Sequence, residues 1–260
     1  MQVPDEVSQL VTNSGNNFHA KVARWLYTNE WHVVVSPYYM DQTQNKAREI
    51  DLIAEKLWPV QDTFGRFLDH VAVRLFIECK FVPTHSVFWF ADKDQQSAQD
   101  LVCVSGHFHA SNIYTKKHHY LAQSPKVAKL FATNANKAPE TEPFYKALNQ
   151  ALNAMVSMRG QPITVPALKS SRTPRVVIEF PVVVCSSFNH LFAVDFYAES
   201  APHPISENFQ LEVRYAYIDR LNNQRDEYFL LDFVEFSQLE KFAEAVAEDA
   251  KVAAFFAAPS

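Results

Sequence analysis

At 260 residues, with 48% hydrophobic and 13% aromatic content, the chain carries enough apolar material for a sizeable core, which excludes wholesale disorder. Its net charge of −5 argues at first against nucleic acid, and its four isolated glycines, Gly15, Gly65, Gly106 and Gly160, exclude a GxGxxG turn and a Walker phosphate loop. Three cysteines without CxxC spacing (Cys79, Cys103, Cys185) exclude a disulfide framework or zinc ribbon and suit a reducing, cytoplasmic compartment, while no secretory leader or bilayer-length apolar run is read.

In chain order, the first predicted helix covers Ser14 to about Asn29, capped by Asn13 or Ser14, with Phe18, Val22, Trp25 and Leu26 as its apolar stripe. A strand at Val33–Ser36 ends at Pro37, and a second covers about Glu49–Leu57. Trp58 to Asp69, with Pro59, Asp62 and Gly65, reads as a loop before a third strand at Val71–Phe81. From about Asp92 to Met158 strand patterns give way to helices near Asp94–Val104, Pro125–Thr133 and Pro143–Met158. The last carries a stripe of Phe144, Leu148, Ala151, Leu152, Met155 and Val156. A proline-bearing extended linker, Gly160 to Arg175, leads to a buried strand at Arg175–Cys185. Leu191–Phe196 reads as the return arm of a hairpin. Leu211–Ile218 and Tyr228–Val234 follow as strands, and Ser237-Gln238-Leu239-Glu240 reads as a capping box opening a final helix.

The chemistry concentrates on two of these strands. Glu78 and Lys80 flank Cys79 at the end of a strongly apolar run, and side chains two apart on a strand share a face. Asp51 sits among Ile50, Leu52 and Ile53, where an acid is costly without a partner. If the two strands pair as neighbours, two carboxylates and one ammonium converge, a set able to hold a hard divalent cation beside a water. The alternatives are a surface ion pair of Asp51 with Arg48 or Lys56 and a simple Glu78–Lys80 bridge. Glu49 shares the face of Asp51 on this reading, or holds Arg48 or Arg74.

Gly15-Asn16-Asn17-Phe18-His19-Ala20-Lys21-Val22-Ala23-Arg24-Trp25-Leu26, then Glu30-Trp31-His32-Val33-Val34-Val35, then Arg48-Glu49-Ile50-Asp51 and Ile77-Glu78-Cys79-Lys80, resemble the PD-(D/E)xK nuclease superfamily in type and order over residues 13–82. The resemblance implies a restriction-endonuclease-like α/β fold: one domain, a mixed central sheet flanked by helices, its core at 13–91 and 160–260 and a helical insertion at about 92–159. It implies Mg2+ or Mn2+ held by Asp51, Glu78 and the Cys79 carbonyl, with Lys80 placing or activating the attacking water. The implied activity is endonuclease hydrolysis of phosphodiester bonds, of DNA before RNA, in defence or DNA processing, by a homodimer or a subunit of a larger complex. His19 stands where the family often has an acid on the first helix, and Gln96 lies where some branches place a phosphate-orienting glutamine.

Charge is unevenly distributed. Between Leu101 and Ile178 ten basic residues face two acids, Glu140 and Glu142, so Lys116, Lys117, Lys126, Lys129, Arg172 and Arg175 are candidate phosphate contacts. Fourteen acids against five basic residues from Glu179 to Ser260 suit a basic protein partner, and the alternative function is a catalytically silent assembly module. His107-x-His109 with Cys103 has zinc-ligand types but no second pair. His118 and His119 are expected at the surface, as are Asp195 and Asp232.

Overall fold

The computed structural model describes residues 4–106, 115–133, 143–162, 164–165, 174 and 176–257. His107, His109, Arg172 and Arg175 lie outside them, as does most of the expected linker. An unanticipated helix, α1 (Asp5–Asn13), precedes α2 (Gly15–Thr28), which buries Phe18, Val22, Ala23 and Leu26. Glu30, at φ 63°, turns the chain into buried Trp31 and β1 (His32–Val35).

The second expected strand is two. β2 (Tyr38–Asp41) and β3 (Lys46–Glu49) form a separate hairpin, and β4 (Leu52–Gln61) starts only after Asp51. The break follows from local bonds: the Ile50 amide donates to Pro37 O at 3.2 Å and the Ser36 amide to Asp51 O at 2.8 Å. The expected loop contracts to a tight turn between β4 and β5 (Phe67–Lys80). Asp62 Oδ1 accepts from the Phe64 and Arg66 amides at 2.8 and 2.9 Å, and Gly65 supplies the φ of +75° that the turn requires.

β6 (Ser86–Asp92), α3 (Gln95–Gly106) and the short α4 (His119–Ala122) follow. The helix expected at Pro125–Thr133 is instead strand β7 (Lys126–Ala132). Val127, Leu130 and Phe131 have helical spacing after a helix-starting proline. The chain nevertheless pairs antiparallel with β6 and touches β11 in parallel, so tertiary pairing overrides a local pattern that suits either state. The inserted region is therefore not purely helical. α5 (Pro143–Met158) has the bounds its stripe predicts.

β8 (Val176–Cys185) precedes β9 (Leu191–Asp195), which forms no hairpin with it. β9 pairs parallel with β6 and antiparallel with β10 (His203–Pro204). β11 (Phe209–Ile218), β12 (Gln224–Glu235) and α6 (Leu239–Ala257) complete the described chain. The expected capping box is replaced by a 3-10 turn, Phe236–Gln238, in which Ser237 Oγ donates to Glu235 at 2.9 Å.

Ten strands form one mixed sheet in the order β1-β4-β5-β8-β12-β11-β7-β6-β9-β10. β1, β4 and β5 are successively antiparallel, and β8 lies parallel to β5. Alternation along the strands feeds two cores. Val71, Val73, Leu75 and Ile77 join α2, α3 and α6 on one face, while Phe76, Ile53 and Val183 join α5 on the other. Each fully buried Leu, Ile or Phe contributes about 1.5–3 kcal/mol to this arrangement. Beneath α5, Arg74 is 1% exposed and bonds Glu55 at 2.7 Å and Glu179 at 3.2 Å, so the buried guanidinium is paired on both sides. No helix among the described residues is long and apolar enough to cross a membrane.

Candidate functional site

Pairing of β4 with β5 sets Leu52 opposite Ile77, so the next step outward sets Asp51 opposite Glu78. Ile53 and Phe76 face α5, and Asp51 and Glu78, each two residues away, face the same side. The side chains meet. Asp51 Oδ2 accepts the Cys79 amide at 2.8 Å, Glu78 Oε1 takes a long bond of 3.4 Å from the Asp51 amide, and Lys80 Nζ donates to Glu78 Oε2 at 3.0 Å. In an extended strand a residue's N–H and C=O point the same way, so the Cys79 carbonyl faces the same space as its amide.

Burial dominates the electrostatics. Glu78 is 1% exposed, and its carboxyl is pushed up to about 7 by desolvation. Lys80 opposes that shift and the Asp51 charge adds to it. Each acid keeps one oxygen with at most the long Asp51–Glu78 contact among the described residues. Two adjacent carboxylates of this kind fit a hard divalent cation, whose charge would relieve their repulsion.

His19 reaches the same point from α2, its Nε2 donating to Asp51 O at 2.8 Å. It holds the Asp51 backbone and stands apart from the carboxylate pair as a positioning group. Glu49 does not join the site: it ends β3, its carboxylate bonds Tyr38 and holds that phenol above its ordinary pKa, and its carbonyl accepts Gln150 Nε2 at 3.0 Å. The break at Ile50 and Asp51 is why the shared face expected of Glu49 and Asp51 is lost. Gln96 bonds Asp100 one turn along its own helix at 2.9 Å.

The basic candidates lie elsewhere. Lys126 pairs with Asp195 at 2.6 Å and Lys129 pairs with Glu212, so both charges are offset locally. Their strand, β7, is four steps from β5 in the sheet, about 19 Å by strand spacing. Lys116 and Lys117 are exposed on a 3-10 turn, Thr115–Lys117, before α4.

A second cluster leaves no mark in the local sequence. His118 and His119 are 2% and 3% exposed, and Asp232 and Asp249 are equally buried. His119 bonds Asp249 through Nδ1 and Asp232 through Nε2, the latter at 3.2 Å. Burial alone would lower the His119 pKa, but the two carboxylates outweigh it and hold the ring protonated up to about 10. Nearby, Lys93 Nζ donates to Tyr120 O at 2.6 Å, and burial brings its pKa down to about 8. His118, His119 and Asp249 place ligand-type atoms within 4.8 Å of one another, as a metal ion requires. Protonation argues otherwise. The Tyr120 amide donates to His118 Nδ1 at 3.2 Å, so the ring proton sits on Nε2, 3.3 Å from Asp249. An ion there must displace that proton and one from His119, whereas the existing ion pairs already compensate the buried charges.

No family model, no curated protein and no solved structure matched this chain.

Proposed function

We propose that the chain is a metal-dependent nuclease of the restriction-endonuclease-like fold, hydrolysing phosphodiester bonds of nucleic acid, DNA first. The observation that carries this reading is the meeting of Asp51, Glu78 and Lys80 at the open end of the β4–β5 pair. The order α2, β1, β4, β5 supports it, as does α5, which precedes the parallel strand β8 and packs back on β5 and β8.

Asp51 and Glu78 would hold Mg2+ or Mn2+ with the Cys79 carbonyl. When bound, the ion supplies positive charge for the scissile phosphate and makes a neighbouring water easier to deprotonate. The chain's own groups do the positioning. The Cys79 amide fixes the Asp51 carboxylate, and His19 and the Ser36 amide fix its backbone. Lys80, held against Glu78 with its side chain 19% exposed, would orient the attacking water and balance charge gathering on the phosphate.

The test is incubation of the purified chain with plasmid DNA and with single-stranded RNA in Mg2+, Mn2+ or EDTA. Cleavage that needs the cation and falls at least ~100-fold in Lys80→Ala is expected. Inertness toward both polymers in both cations would leave the fold as an assembly module.

A further inference from the structure

A polar cleft of about 450 Å3 opens between the β2–β3 hairpin and α5, lined by Arg48, Tyr145, Lys146, Gln150, Asn153 and Tyr215 among others. Its volume falls in the range of small-molecule sites. The floor is built: buried Asp41 accepts Arg48 Nε at 2.7 Å, the Gln44 amide at 3.1 Å and Asn153 Nδ2 at 3.4 Å. That carboxylate is satisfied and neutralised. Gln150 is different. Its Nε2 is committed to Glu49 O at 3.0 Å, while its Oε1 is buried without a partner among the described residues. A buried acceptor without a partner is costly, so a turn of this half-buried side chain that brings Oε1 to an N–H donor in the cleft is favoured.

The cleft adjoins the acid pair. Glu49, which anchors Gln150, lies two residues from Asp51, so the backbone separation is at most about 7 Å. Tyr39 is linked to both: its hydroxyl donates to Gln150 O at 3.3 Å, and it feels the Glu78 charge. Its ionisation is opposed first by burial, and the charges of Asp41 and Glu78 add to that.

We propose that this cleft receives the nucleobase next to the scissile phosphate and favours bases with an exocyclic amine; the proposal rests on the nuclease reading. Tyr145 and Tyr215 line the cleft, Tyr215 backed by Tyr217 at 6.5 Å, and this aromatic wall is a surface against which any base can pack. Lys146, exposed, and the rim of Arg48 meet the adjoining phosphate. Gln150 Oε1 accepts from the amine of adenine or cytosine. Thymine has no amine; its one N–H, at N3, is flanked by two carbonyls that would face Oε1 without a donor, since the Gln150 amide nitrogen is already used.

The test measures binding of the full chain to dA, dC and dT hexanucleotides in EDTA by calorimetry, with cleavage assayed separately in Mg2+. The dA or dC hexamer should bind at least tenfold tighter than dT. Gln150→Leu should erase that preference, and Tyr145→Ala should weaken all three about tenfold. Equal or tighter binding of dT, no binding of any hexamer, or affinities untouched by both substitutions overturns the pocket. A base preference lost in Gln150→Leu but accompanied by no cleavage in any cation sustains the pocket and removes the nuclease reading. Cleavage without base preference does the reverse.

Discussion

At the scale of single residues, Glu78 carries the account. Its carboxyl is pushed up to about 7 from an ordinary 4.5 because it is buried beside a second acid. A folded-state pKa raised above the unfolded one stabilises fully below pH 4.5 and loses that contribution as pH rises through 7. The metal-free protein should therefore weaken across that window, and Glu78→Gln should flatten the slope, gaining about 1–3 kcal/mol over the parent at pH 8. Urea unfolding at pH 5 and pH 8 reads both effects, and parallel slopes for the two proteins would count against a strained Glu78. The apposition of Asp51 and Glu78 was legible because strand period and an apolar surround are local signals. The face that Glu49 is expected to share with Asp51 is lost because a backbone break at Ile50 leaves no mark in residue type. The expected exposure of His118 and His119 fails because nothing nearby in sequence pairs with them. Their partners, Asp232 and Asp249, lie 113 and 130 residues from His119.

At the scale of elements, the same distance in sequence explains what was gained and lost. α5 was readable to its ends because its stripe of Phe144, Leu148, Ala151, Leu152 and Met155 is periodic and buried. β7 was not, because its apolar spacing suits a helix and only pairing with β6 decides the matter. The partner of β9 is likewise set by a parallel contact with β6, far from the turn that suggested a hairpin with β8. The His119 cluster ties α4 to α6 and β12 across the core. Its raised pKa stabilises fully below pH 6.5 and is lost as pH rises toward about 10; Lys93, lowered to about 8, opposes this only above pH 8. Removing Asp249 leaves His119 with Asp232 alone and strips the His119 amide of its acceptor, so Asp249→Ala should cost about 1.5–3 kcal/mol at pH 6.5. The cost should shrink at pH 8, as denaturant melts at the two values will read. An equal cost at both would mean that His119 is not held protonated by the pair.

At the scale of the whole molecule, one mixed sheet separates two chemistries. The acid pair opens toward α5 and the β2–β3 hairpin, while the histidine cluster is sealed on the opposite face with α3, α4 and α6. The net charge of −5 leaves little general attraction for phosphate; Lys80 sits on the acid pair itself, and Arg48 and Lys146 flank the adjoining cleft, whereas Lys126 and Lys129 lie away on β7. On the proposed nuclease reading, nucleic acid meets one face of the sheet, where a bound cation and the adjoining cleft would act together. Both faces hold ligand-type groups, of which only the acid pair is free of protons that an ion must displace from an imidazole, so the position of a bound ion is the most direct discriminator. Crystals soaked in Mn2+ and measured at its absorption edge should show one anomalous peak between Asp51 and Glu78, absent in Asp51→Asn. A peak within His118, His119 and Asp249, or none between the two acids at saturating Mn2+, would contradict the account.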